Sequence, residues 1–482
     1  MIRNGIGCIG ALLLGAAGVA GAQAPLPVDP AIAGALKGVS AVRVKADIET
    51  LVGFGTRNTL SSMEAMPEGK GINAAAAWIE AEFGRISAGC GGCLEVKRDE
   101  FVEPAATGPG GRVPKPTKLV NVYAVMHGTG GDKAPWVLVT GHYDSRATDV
   151  MDAKLTAPGA NDDASGVAVS LESARALAGL KLTGTIVFVA VAGEEQGLDG
   201  SRHLAQLAKA QGWPLEAVLN DDIVGGDTTP GATGQDKDVV RVFSESVPAT
   251  ASALEQKQML GLGAENDSPS RELARTIAEL APTYFKPTME QPAPLKDGAR
   301  SMMMRQVPGF HPVMVLRRDR YLRGGDHTSF NGEGFAAVRF TEWRENFDHQ
   351  HQTVRMENGV QYGDLLPYVD FDYVVKVAQL NAAILATLAA APSEPQRVRI
   401  LTKELDNDSE LAWDASAFAP AGTSYEVVWR ATDELMWTHS QSAGAATHLK
   451  LEVSKDNVLF AVRAVDAAGH RSLPVPPVPA RD

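Results

Sequence analysis

At 482 residues the chain exceeds what one compact core holds, so two or three folded units are expected. Its 44% hydrophobic and 21% charged content is that of an ordinary folded protein, and a formal charge of -13 argues against non-specific nucleic-acid binding and makes cations the natural small partners. Past the N-terminal segment, no stretch reaches the roughly 18 uninterrupted apolar residues that cross a bilayer.

The N-terminus opens with a positive Arg3, continues as a Leu- and Ala-rich run over residues 9–19, and ends in Ala20-Gly21-Ala22, an A-x-A cleavage pattern. Residues 1–22 are therefore read as a removable signal peptide, with a retained anchor as the alternative, and the mature protein as periplasmic or secreted. Cys8 lies too early in this segment to be a lipoprotein acceptor. Cleavage leaves Cys90 and Cys93, most simply a disulfide across a short turn, since no thioredoxin-like pattern surrounds them and a four-cysteine zinc site is impossible.

After a Pro-rich linker at 25–30, helical patterns cover residues 40–51 and 72–86. Strand-like apolar runs follow at 119–126, 136–140, 185–192, 217–224, 313–316 and 336–340. Helices are expected between them at 166–178, 201–210 and 271–285, and a long one closes the unit at 366–390. Buried strands alternating with helices predict an α/β fold in three layers, α/β/α, around a mostly parallel mixed sheet. Ala391-Pro392-Ser393-Glu394-Pro395 reads as a hinge. Beyond it, short strand patterns at 397–401, 410–413, 424–430, 447–453 and 459–464 predict a small all-β sandwich. The units are thus an α/β domain over 30–391 and a sandwich over 396–478. Trp413 and the Tyr425 segment make the latter similar to a fibronectin type III module.

One apolar strand after another ends in a metal-capable side chain: Val137 leads to His142 and Asp144, Ile186 to Glu194-Glu195, and Val218 to Asp221-Asp222. Two loops add Asn161-Asp162-Asp163 and Asp326-His327. Open α/β sheets collect ligands at the carboxyl ends of their strands. Each piece alone is weak: a lone histidine is more often surface or satisfied core, paired acids are more often solvated, and an Asp before a helix is often its cap. Five together at consecutive strand ends make the bland reading poor.

The ordered strings HYD, NDDASG, GEEQGLDGS, NDDIVG and GGDH resemble the exported bacterial zinc aminopeptidases of metallopeptidase family 28, over roughly residues 40–391. The resemblance implies two zinc ions, with His142 and Asp222 on one, Glu195 and His327 on the other, and Asp162 bridging. It implies Glu194 as general base and a cis peptide at Asp162-Asp163. Three protein donors per ion with an open position is the pattern of catalytic zinc. Asp144 lies two residues beyond His142 on the same face of an extended segment, placed to accept the imidazole N–H and fix its tautomer, with turn capping as the alternative. Asp221 competes with Asp222, although only one of two adjacent strand residues faces the metals. His351, with His349 as rival, is expected as a supporting histidine behind the ligands.

The implied reaction is metal-assisted hydrolysis of peptides from the N-terminus, with Glu194 moving the proton. HYDSR and GSRHLA also resemble single-zinc glutaminyl cyclases, and a non-catalytic binding protein on a peptidase fold is a further alternative. Residues 226–318 are expected to form part of the substrate wall, with Tyr284 and Phe285 or Met302-Met303-Met304 as liners. The charged run at 317–323 reads as an ion-pair network.

Overall fold

The computed structural model describes residues 21–22, 26–106, 108, 110–290 and 304–481. All but the last two residues of the expected signal segment lie outside them. The centre is an eight-stranded sheet of β1 (Glu95–Glu103), β2 (Thr117–Met126), β3 (Trp136–His142), β4 (Thr185–Val191), β5 (Leu215–Asp221), β6 (Val239–Ser244), β7 (His311–Val315) and β8 (Ala337–Glu342), in the order β7-β6-β8-β5-β3-β4-β2-β1. Its middle, β8-β5-β3-β4, is parallel; β2 runs against β4 and against β1, and β6 against β8. The middle strands are continuous apolar runs because both faces are covered: every residue of β4, Thr-Ile-Val-Phe-Val-Ala-Val, is buried. The sequence reading omits β1, whose Glu-Val-Lys-Arg-Asp-Glu pattern carries too much charge. It lies at the sheet edge, where charged side chains block pairing with another chain. β6 is a second omission.

The Ala41–Gly53, Ala164–Leu177 and Phe371–Ala390 helices pack together over one face, and the Asp199–Ala210 and His327–Gly332 helices over the other. Phe371–Ala390 is long and apolar enough to cross a membrane by length and composition, yet it sits largely buried in the core. The Asp370 side chain caps it by accepting from the Tyr373 N–H at 3.1 Å. Cys90 and Cys93 are disulfide-bonded just beyond the Gly71–Gly89 helix.

Arg57 ties the loops beneath the sheet's carboxyl edge together. Its buried guanidinium donates to the carbonyls of Leu51 (3.0 Å), Tyr143 (2.6 Å), Pro158 (2.5 Å) and Gly159 (2.9 Å). Arg57→Met leaves the Tyr143 and Pro158 carbonyls buried without a donor and removes one donor from those of Leu51 and Gly159, so urea unfolding should show a loss of about 3–5 kcal/mol; a loss under about 1 kcal/mol would show that water replaces the guanidinium.

From Gln396 onward the chain forms two further sheets. One holds His448–Leu451, Ser409–Asp414, Gln396–Leu401 and Val478–Ala480; the other holds Ser424–Ala431 between His439–Gly444 and Val458–Val465, with Gly21–Ala22 on the His439–Gly444 edge. Trp413 packs edge-on to Tyr425 at 5.8 Å in the core between them. This unit docks on the Pro269–Tyr284 helix through buried polar groups. Trp437 Nε1 donates to Glu272 at 3.0 Å, Arg275 donates to the Leu435 carbonyl at 2.6 Å, and Arg430 pairs with Asp267.

Burial pushes the Glu272 carboxyl up to about 7, against the Arg275 charge beside it. An acid with a raised native pKa keeps its proton while the unfolded chain loses it. Stability therefore falls as pH rises from about 4.5 to about 7 and stays lower above that window. Denaturant unfolding should show roughly 1–3 kcal/mol less stability at the upper end, and Glu272→Gln should flatten that part of the slope. An unchanged slope in the variant would place the pH dependence elsewhere.

Candidate metal centre

The carboxyl ends of β3, β4 and β5 meet at one cleft. Two glycines permit this closeness: a Cβ at Gly141 would lie 2.4 Å from the Gly166 carbonyl carbon, and one at Gly166 would lie 2.3 Å from the Asp221 carbonyl oxygen. They let the Ala164–Leu177 helix begin directly against the sheet. Asp163 caps that helix by accepting from Gly166 N at 2.9 Å and also holds the His142 N–H at 3.0 Å. The Asp162–Asp163 peptide is cis. Asp364 fixes the preceding turn, its carboxylate accepting from the N–H groups of Asn161 (2.8 Å) and Asp162 (2.7 Å).

Two sets of donors form here, each with atoms within 4.8 Å of one another: His142, Asp162 and Asp222, and Asp162, Glu195 and His351. His142 Nε2 lies 3.1 Å from Asp162 Oδ1 and 3.8 Å from Asp222 Oδ1. On the other side, His351 Nε2 lies 3.0 Å from Asp162 Oδ2 and 3.1 Å from Glu195 Oε1. Asp222 faces the cluster, whereas Asp221 turns to the opposite face and accepts from Asn381 Nδ2 at 2.9 Å.

His327, expected as the second histidine donor, is a correction. It is buried away from both sets, its Nε2 2.8 Å from the Arg318 carbonyl, and burial lowers its pKa to about 4. His351 stands in its place, held by a left-handed backbone at φ 57°. His349 stacks on Tyr368 at 3.9 Å. The GGDH string does bring Asp326 close, where burial raises its carboxyl to about 7 and the charges of His142 and Asp222 act on it.

Asp144 does more capping than expected. Its carboxylate accepts from Glu194 N (3.2 Å), Glu195 N (3.1 Å) and Thr59 Oγ1 (2.8 Å), fixing the turn that carries both glutamates. His142 Nδ1 is nearer the Asp144 carbonyl, at 3.2 Å, than the carboxylate, at 3.5 Å. Either contact favours a proton on Nδ1 and leaves Nε2 as the donor.

Electrostatics agree with a cation site. Burial opposes charge on His142, yet Asp144, Asp162 and Asp222 overcome it and hold the ring protonated well above the usual range. Burial likewise opposes charge on His351, and Glu195 and Asp162 push it up to about 10. Burial raises Glu194 well above the usual carboxylate range; His142 opposes this, and Glu195 and Asp222 add to it. So many buried carboxylates in contact require cations, and mixed imidazole and carboxylate donors suit zinc. The donor sets therefore fit that metal.

Arg339 was not anticipated. It sits in the buried strand β8 with its guanidinium 2.9 Å from Asp222 Oδ1 and 3.5 Å from Asp319. The available signal was a lone arginine inside the apolar run Ala337-Val338-Arg339-Phe340. Tyr284 and Phe285 pack on the core instead of lining the cleft. Met302 and Met303 lie outside the described residues, and Met304 is exposed. The wall comes instead from Arg112, Arg146, Arg320, Leu322, Arg323, Gly324 and Gln350, around a cleft of about 490 Å³.

Donors gathered at the strand ends of an α/β sheet, with a free glutamate beside them, define a metal-dependent hydrolase. The family description "Peptidase family M28" matches residues 121–270. A probable zinc metalloprotease of the fungus Pyrenophora teres is 42% identical over 95% of this chain and 88% of its own length. One from Leptosphaeria maculans is 43% identical over 92% of this chain and 95% of its own. The chain belongs to peptidase family M28 and is a zinc metalloprotease. Among solved structures it is similar to the LapA aminopeptidase of Legionella pneumophila (TM-score 0.47, 19% identity, 76% of this chain and 77% of that one). It is also similar to a Porphyromonas gingivalis glutaminyl cyclase (TM-score 0.44, 18% identity, 72% of this chain and 98% of that one).

Proposed function

We propose that this zinc metalloprotease is an exported aminopeptidase that uses two zinc ions to release N-terminal residues from peptides. The observation that carries the reading is the position of Asp162. Its Oδ1 faces His142 and its Oδ2 faces His351, so one carboxylate serves two donor sets. His142, Asp222 and Asp162 would hold one ion; Glu195, His351 and Asp162 would hold the other. Zinc held there would supply Lewis acidity toward the scissile carbonyl and the attacking water. Glu194 accepts the proton of that water on its carboxylate and delivers it to the leaving amine. Asp144 acts as a positioning residue, holding Glu194 and Glu195 through their backbone N–H groups. The signal segment at 1–22 supports export to a periplasm or beyond the cell. The pairing of Trp413 with Tyr425 between two sheets supports a fibronectin type III-like unit over 396–478.

One observation favours a second reading, a single-zinc glutaminyl cyclase: Arg339 contributes its charge to Asp222, where a cation at the His142 set would sit. Metal analysis of purified protein, with aminoacyl-nitroanilide and glutaminyl-peptide substrates, separates the two. About two zinc ions per chain with release of the N-terminal residue is the expected result. One ion with pyroglutamyl product would replace this reading with the cyclase, and inertness toward all such substrates would point to a binding protein.

A further inference from the structure

Among the described residues the cleft is lined by four arginines, Arg112, Arg146, Arg320 and Arg323, and by four carboxylates, Asp162, Glu194, Glu195 and Asp222. All four of those acids belong to the two donor sets or to the proposed base. The arginines are of two kinds. Arg320 and Arg323 have close carboxylate partners: Arg320 lies 3.1 Å from Asp319 and 2.8 Å from Glu345, and Arg323 lies 3.0 Å from the same Glu345. Arg112 and Arg146 do not. Arg112 donates to the Glu195 carbonyl at 2.8 Å and has no carboxylate partner among the described residues. Arg146 donates to the carbonyls of Ala147 (3.1 Å) and Thr148 (3.0 Å), and its nearest carboxylate among the described residues is Glu195, at 4.0 Å.

Arg112 is thus anchored through Nη1 to the Glu195 carbonyl and Arg146 through Nε and Nη2 to the Ala147 and Thr148 carbonyls, and both side chains line the cleft. Holding two cations beside a dication site is costly unless an anion completes it, because like charges repel and the cleft walls lower the local dielectric. A guanidinium fixed by backbone carbonyls presents its other N–H groups in the fork that matches a carboxylate. With Asp162, Glu195 and Asp222 in the donor sets, Glu194, the proposed base, is the one lining carboxylate outside them among the described residues.

We infer that the substrate of this cleft carries a carboxylate close to the scissile bond, bound by Arg112 and Arg146. The inference rests on the peptidase reading and names its substrate class. The carboxylate could be an acidic side chain on the released residue or the free C-terminus of a very short peptide, and both present the same two oxygens.

The test compares isosteric pairs with the zinc-loaded full-length protein. Aspartyl- against asparaginyl-nitroanilide probes the side-chain source, and Leu-Leu against Leu-Leu amide probes the C-terminal source. The expected result is that at least one carboxylate member exceeds its neutral partner by about tenfold or more in kcat/KM, and that Arg146→Gln and Arg112→Gln bring the ratio toward one. Ratios within about twofold in both pairs, or ratios unmoved by both variants, overturn the inference while leaving the peptidase reading intact. If none of the four compounds is cleaved, the peptidase reading fails, and calorimetric titration of Leu-Leu against its amide decides the carboxylate site by itself. Equal or absent binding of the two then overturns it.

Discussion

Glu194→Gln is expected to keep its zinc and lose about 10²- to 10⁴-fold in kcat, the usual contribution of a positioned acid–base group. The substitution is isosteric. The turn that carries residue 194 is held from the backbone, by Asp144 on the N–H groups of Glu194 and Glu195, so the change alters the carboxylate and leaves its support intact. Glu194 lines the cleft but belongs to neither donor set, which is why metal content should not follow activity down. KM should change far less than kcat, because the lost interaction belongs to proton transfer in the transition state. Full activity in the variant would remove Glu194 from the mechanism. Joint loss of zinc and activity would make it a ligand instead.

The second large effect separates two histidines that local sequence does not rank. His351→Ala should lower zinc by about one ion per chain and abolish measurable turnover, because the second set keeps only Asp162 and Glu195. His327→Ala should keep the full zinc content. Its cost is in folding: the Arg318 carbonyl loses its partner and a buried ring becomes a void, worth roughly 2–4 kcal/mol. Metal analysis on both purified variants, alongside thermal unfolding, gives the answer. The opposite pattern, with zinc lost from His327→Ala and retained in His351→Ala, would refute the assignment made from the geometry.

Much of the molecule is legible in the sequence. The middle strands announce themselves because a parallel sheet buried on both faces demands uninterrupted apolar runs, as at Ile186–Val191. Their carboxyl ends then stand out as the places where polar residues begin. The charged edge strand Glu95–Glu103 was missed for the converse reason: its outward faces meet solvent, and the strand signal is diluted by lysine, arginine and glutamate.

The strand ends supplied candidate chemistry: His142, Asp162, Glu194, Glu195 and one of Asp221 and Asp222 could all be proposed from residue type and position. Alternation in an extended segment required one of those two aspartates to face away, and only the packing of Asn381 against Asp221 decided which. The second histidine depended on tertiary structure entirely. His327 follows β7 and His351 follows β8, each after a loop, and the contacts that place them are tertiary, with the Arg318 carbonyl for one and Asp162 for the other. The same holds for Arg339 and Asp364, whose contacts with Asp222 and the Asp162 backbone span more than a hundred residues. Residue type and periodicity are local properties that a sequence carries openly. Which side chains share a cavity is fixed only when the chain closes on itself.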